Sequence, residues 1–190
     1  MNPLLIVILV VVFLIVIIPI FIYNGLIGKK NRVKNAFATI DVMLKKRHDL
    51  IPNLIETVKQ YMSHERDTLT EIVKLRSQII DNSDISDSER VNLENQLTNK
   101  LSGLNINIEN YPDLKANQNF MQLQGSLNEI ESQLSASRRG YNASVLEYNN
   151  GLEMFPSSII AGMMGLKQND FLKTPEVEKQ NVDVKSLFNN

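Results

Sequence analysis

Val33 to Tyr61 reads VKNAFATIDVMLKKRHDLIPNLIETVKQY. Apolar side chains fall at Val33, Phe37, Ile40, Leu44, Ile51, Leu54, Val58 and Tyr61, and Arg47 takes the one seam position that is not apolar. Steps alternating between four and three residues return to the same face of an α-helix every heptad. A half-buried strand would alternate with period two, and no window of this chain does so. Pro52 lies inside the stripe, which stays in phase across it. A kink is therefore expected there rather than a break.

The same period returns downstream. Ser63 is placed to cap a second helix carrying Leu69, Ile72, Val73, Ile79 and Ile80. Asp81 to Asp87, DNSDISD, is polar turn sequence. Ser86 and Glu89 form an S-x-x-E capping box that starts a third helix, with Leu93, Leu97, Leu101, Leu104 and Ile108 on its apolar stripe. Tyr111-Pro112-Asp113 interrupts that helix. A fourth runs to about Met154, with Phe120, Leu127, Leu134, Tyr141, Tyr148 and Phe155 seven residues apart. The expected fold is all-α, an antiparallel four-helix bundle of long helices over residues 29–166. Residues 167–190 lack periodicity and balance their charges, so a loosely ordered tail is expected.

Upstream, Leu4 to Tyr23 reads LLIVILVVVFLIVIIPIFIY, twenty residues interrupted only by Pro19. At about 1.5 Å per residue it covers roughly 30 Å, the thickness of a bilayer core. Lipid offers no partners for open backbone groups, so a helix is expected despite the β-branched content. A cleaved signal peptide would need a basic start and a small-x-small cleavage site, and neither is present. Residues 1–28 are thus expected to be a retained single-span transmembrane anchor. Lys29, Lys30, Arg32 and Lys34 follow the span, and no Lys or Arg precedes it. The positive-inside rule then places the N-terminus outside and the bundle on the cytoplasmic side, with these four cations at anionic headgroups. By parity of the four helices, Ile159 to Leu166 returns to the bilayer surface. The plainer reading is a short helix capping the bundle end. The sharper one is an interfacial or partner-docking patch at Ile159, Ile160, Met163 and Met164.

Composition excludes several classes. Net charge is −1, which argues against a general nucleic-acid surface. The absence of cysteine removes disulfides, thiolate metal sites and thiol catalysis. His64-Glu65 begins like H-E-x-x-H, but Thr68 stands where the second His belongs. There is neither a P-loop nor a G-x-S-x-G elbow. No metal, cofactor or catalytic activity is expected.

Arg47 is the residue that demands a partner, because an unpaired guanidinium in an apolar seam costs several kcal/mol. Pairing the first and fourth helices antiparallel sets Phe37 beside Tyr141, Leu44 beside Leu134, Ile51 beside Leu127 and Val58 beside Phe120. That register brings Arg47 level with Glu131, and Asp41 level with Arg138. Two cross-helix ion pairs of opposite polarity are expected, fixing helix register. Tyr141-Asn142 and Tyr148-Asn149 repeat a Tyr-Asn pair after seven residues. Interhelical hydrogen bonding is the plainer reading of these four side chains, and a binding ridge the sharper.

Two stretches resemble the signatures of one family. NRVKNAFATIDVMLKKRHDLIPNLIETVKQYMSHE, Asn31 to Glu65, and YPDLKANQNFMQLQGSLNEIESQLSASRRGYNASVLEYNNGLEMFP, Tyr111 to Pro156, look like those of the LemA family of bacterial membrane-anchored helical proteins. DLIPNL, YPDLKAN and the two Tyr-Asn pairs are the most specific parts, and the resemblance covers roughly residues 24 to 166. Phe37 stands where Trp is common, His48 where Tyr is common, and Gly140 where a bulky residue is usual. The resemblance implies one N-terminal span in a bacterial inner membrane, an antiparallel α-bundle and no established catalytic activity. By association it suggests a membrane protease or envelope component as partner. The function expected is a membrane-tethered interaction or scaffold module. The alternative is a membrane-bound enzyme with a polar site between helices near Pro52, drawing on Asp49, Asn53 and Glu56.

Overall fold

The computed structural model describes residues 3–62, 64–82 and 86–173, and no strand occurs among them. The helices are α1 (Pro3–Lys59), α2 (Arg66–Asp81), α3 (Asp87–Asn107), α4 (Pro112–Lys115), α5 (Gln118–Glu153) and α6 (Ser157–Met163), with a 3-10 turn over Ile108–Asn110. The apolar segment and the heptad stripe that follows it are one helix of 57 residues. It passes through Pro19 and Pro52 without a break. Gly25 and Gly28 weaken it locally, but buried Leu26 and Val33 hold that turn in place. This is the one helix long and apolar enough to cross a membrane among the described residues.

Local chemistry sets the other boundaries. Ser86 caps α3 by accepting from the Glu89 backbone N–H at 3.2 Å. α2 starts at Arg66 with Glu65 in the cap position, later than a Ser63 cap would place it; Ser63 lies outside the described residues. In YPDLKAN, Pro112 opens α4, where its missing N–H costs nothing. Asn117 then starts α5: its side-chain oxygen accepts from the Phe120 N–H at 3.1 Å, and its amide donates to the Tyr61 hydroxyl at 3.0 Å. One short motif thus ends one helix, begins the next and ties both to the end of α1.

The described residues form two compact units, one within residues 3–43 and 133–172, the other within residues 44–132. In the first unit α1 and α5 run antiparallel. Gly151 lies against Leu26 and Lys29, Glu147 faces Arg32 at 3.3 Å, and Tyr141 meets Phe37 edge-on with ring centroids 5.8 Å apart. Val33, Ile40, Leu134, Val145 and Tyr148 are buried in this unit. In the second, Ile51, Leu54, Val58, Met62, Leu69, Ile72, Leu97, Leu104, Leu114 and Phe120 form a continuous core. Val73 and Ile80, expected on the apolar stripe of α2, are exposed. Leu69, Ile72 and Ile79 fill that stripe, and each exposed residue stands about 100° further round the helix than its buried neighbour.

Gly151 marks a close approach of α5 to α1. A Cβ there would meet the Lys29 Cδ at 3.2 Å and the Leu26 Cδ2 at 3.3 Å, whereas one at Gly140 would meet nothing within 4 Å. Opposite effects are expected in chemical unfolding in detergent micelles. Gly140→Ala should stabilise by about 0.5–1 kcal/mol through helix propensity. Gly151→Leu should destabilise by roughly 1–3 kcal/mol through overpacking. A neutral Gly151→Leu would contradict the close approach.

Candidate functional site

Within the second unit, α1, α3 and α5 bring five polar side chains together. Arg47 occupies the α1 seam between Leu44 and Ile51 and is fully buried, 0% exposed. Its Nη2 donates to Glu94 Oε2. Its Nη1 donates to Glu131 Oε1 at 2.6 Å and to the Thr98 hydroxyl at 2.7 Å. The other Glu94 oxygen lies 2.9 Å from His48 Nε2. The Thr98 hydroxyl donates in turn to the Glu94 backbone carbonyl at 3.0 Å. From α2, Arg76 Nε donates to the His48 carbonyl at 2.8 Å. Three helices, α1, α3 and α5, therefore meet at one buried guanidinium, and α2 bonds the backbone of α1 beside it.

The electrostatics follow from this geometry. Burial pushes the Glu94 carboxyl up, but the His48 hydrogen bond and the Arg47 charge outweigh it and hold the group below the ordinary carboxylate value. Glu94 is then ionised, so His48 Nε2 is the donor. Glu131, 34% exposed at its side chain, is the open edge of the cluster.

Arg47 and Glu131 face each other as the antiparallel register places them. Asp41 and Arg138 are half-buried in the first unit, and each is engaged by a neighbour. Glu94, His48 and Thr98 were not anticipated, yet the signal for Glu94 is in the sequence. Stepping back from Ile108 by four and three reaches Leu104, Leu101, Leu97 and then Glu94, not Leu93. Glu94 is 3% exposed, the acidic seam residue of α3 that answers the basic one of α1.

The Tyr-Asn pairs do something else. Tyr141 and Tyr148 are buried, and burial pushes the Tyr148 hydroxyl up. Asn142 and Asn149 bond the backbone of Leu172 and Asn169 rather than another helix. Residues 169–172 belong to the segment expected to be loosely ordered, and these bonds hold them; residues 174–190 lie outside the described residues. On α6, Ile160 and Met164 are half-buried while Ile159 and Met163 are exposed, Met163 to 81%. Lys29 and Lys30 are half-buried, and Arg32 and Lys34 exposed. Asp49, Pro52, Asn53 and Glu56 all stand on the exposed face of α1, away from the buried cluster.

The depressed Glu94 acidity has a signed consequence. A group that ionises more readily in the folded state stabilises it fully above the ordinary carboxylate range and loses that contribution as pH falls through its folded value. Unfolding midpoints taken from pH 7 down to about pH 3 should drop more steeply for the native chain than for Glu94→Gln. Parallel acid limbs would show that Glu94 is not held by Arg47 and His48.

The model of the LemA family matches residues 36–186. That span takes in Arg47, His48, Glu94, Glu131 and both Tyr-Asn pairs. It reaches past residue 166 and covers the segment that the asparagines hold. Protein LemA of Metamycoplasma hominis is 27% identical to this chain over 185 residues, covering 94% of this chain and 84% of that protein. This chain belongs to the LemA family.

Proposed function

We propose that this chain is a single-span, membrane-tethered interaction module without a catalytic centre of its own. The observation that carries this reading is the continuity of α1, whose exposed apolar start and packed continuation are one helix, Pro3–Lys59. Lipid is the environment that removes so large an apolar surface from water. A helix without a hinge between anchor and packed region makes a stiff mount, and that suits presentation of a surface better than free diffusion. We read the second unit as an antiparallel four-helix bundle. Helices α2 and α3 are joined by a short loop, and Arg47 reaches α3 and α5 at once.

The Lys and Arg residues after the span favour the cytoplasmic side of the inner membrane for the helical part. Gly151 packs on Leu26 and Lys29, so the chain beyond it approaches the membrane end of the first unit. Phe155, Ile159 and Met163 recur every four residues there and are all exposed. We assign them to the bilayer interface. The partner we favour is a protein of the same membrane, an envelope component or a membrane protease. For the enzyme reading near Pro52, Asp49, Asn53 and Glu56 stand in water, without the burial that tunes catalytic carboxylates.

The chain has no cysteine, so single cysteines report cleanly. Asn82→Cys, after α2, should react with an impermeant maleimide only once cells are permeabilised. Met163→Cys should stay shielded in inverted membrane vesicles and react after detergent is added. Labelling of Asn82→Cys in intact cells would overturn the orientation. Extraction of the protein by alkaline carbonate would overturn the tether itself.

A further inference from the structure

The two asparagines of α5 read a peptide backbone. Asn149 accepts from the Asn169 N–H at 3.0 Å and donates to the Asn169 carbonyl at 2.9 Å. Asn142 accepts from the Leu172 N–H and donates to the Leu172 carbonyl, both at 2.9 Å. Each primary amide thus satisfies both main-chain groups of one residue, as an adjoining β-strand does. Between them, the Tyr141 hydroxyl donates to the Asp170 carbonyl at 3.4 Å.

The repeats of helix and extended chain match. Seven helical residues rise about 10.5 Å, and three extended residues about 10 Å. The second asparagine therefore meets the residue three further along, in the opposite chain direction. These contacts all go to the main chain of residues 169–172. The Phe171 side chain is 52% exposed, and Gln168 adds a side-chain bond to Glu153 at 2.5 Å. Recognition by main-chain hydrogen bonds sets the conformation of a bound segment and leaves its sequence largely free.

We propose that Asn142, Asn149 and Tyr141 form a peptide-docking site for an extended polypeptide segment. Residues 169–172 are its resident ligand, held in cis and exchangeable for such a segment of a partner protein. The proposal rests on the interaction-module reading and names its surface. Five hydrogen bonds and the half-buried Leu172 hold the segment, while the bonds go to main-chain groups that any extended segment offers, so another segment can take its place. Its covalent tether supplies a high effective concentration. The site is therefore self-blocked until a partner competes or the segment is drawn away. Gly165, at φ +61°, gives the connection to α6 a turn that L side chains rarely adopt.

The test uses the full chain with a protease recognition sequence inserted between the exposed Lys167 and Gln168, purified in detergent and cut after folding. The probe is a fluorescent peptide carrying the sequence of residues 168–173, followed by anisotropy. Saturable binding to the cut protein is expected, at least tenfold tighter than to the uncut protein. Asn142→Ala and Asn149→Ala should each weaken it about tenfold. A peptide N-methylated at the position of Leu172 should fail to bind, whereas replacing the position of Phe171 by Ala should change little. This pair of peptides keeps the test valid should the protein variants misfold. Equal binding to cut and uncut protein, no binding to either, or full binding of the N-methylated peptide would overturn the proposal. Dimers of the uncut chain that Asn149→Ala dissolves would overturn the cis assignment in favour of a second copy's segment. The assay runs in micelles and is blind to orientation, so it can fail while the membrane reading stands, and the reverse.

Discussion

A guanidinium with no access to water constrains everything packed around it. Arg47 is removed from solvent on a helix whose neighbouring seam positions are aliphatic. Desolvating that charge is tolerable only if anionic and polar partners sit at fixed distances. Glu94, Glu131 and Thr98 meet that requirement from two other helices, and His48 completes the coordination of Glu94. The partners of Arg47 lie 47 to 84 residues away in sequence. A slip of any one helix by a turn, about 5.4 Å, would strand a charge in the core. Aliphatic seams alone tolerate such slips far better. The ion cluster is best understood as the element that makes one helical arrangement the only affordable one.

The rest of the chain works with plainer forces. In the first unit a glycine lets two helices approach closely, an edge-on aromatic pair fills the seam, and an exposed Arg32–Glu147 pair contributes little. In the second, an aliphatic core surrounds α1 from Ile51 onward, and the YPDLKAN turn joins helix ends through the two bonds of Asn117. Specificity comes from a few polar positions, while most of the stabilisation comes from apolar burial.

How much of this was legible depended on whether the signal was periodic or relational. The helical class, the capping box at Ser86 and the antiparallel phase of α1 against α5 all follow from spacing, because a heptad reports its own face. Arg47 announced itself as a charge on an apolar stripe. Glu94 did not, because Leu93 beside it offered an apolar side chain and drew the stripe one position, about 100° round the helix, away from the true seam. His48 and Thr98 could not be read from their own helices, since their roles exist only once Glu94 is in place. The asparagine pair was visible as a seven-residue repeat, but its partner was invisible. Extended segments that bond to side chains carry no period, so 169–172 looked like unstructured tail.

The account stands or falls on whether Arg47 and Glu94 need each other. The direct measurement is a double-mutant cycle on unfolding free energy, using Arg47→Met, Glu94→Leu and the pair together. If the charges form a mutually dependent buried cluster, each single change should cost about 3–5 kcal/mol, because it leaves the other charge without its main partner. The double change should then recover most of that loss, giving a coupling well above the roughly 0.5 kcal/mol of independent sites. Additive single costs would mean that the two residues act separately, and that the helices are ordered by their aliphatic seams alone.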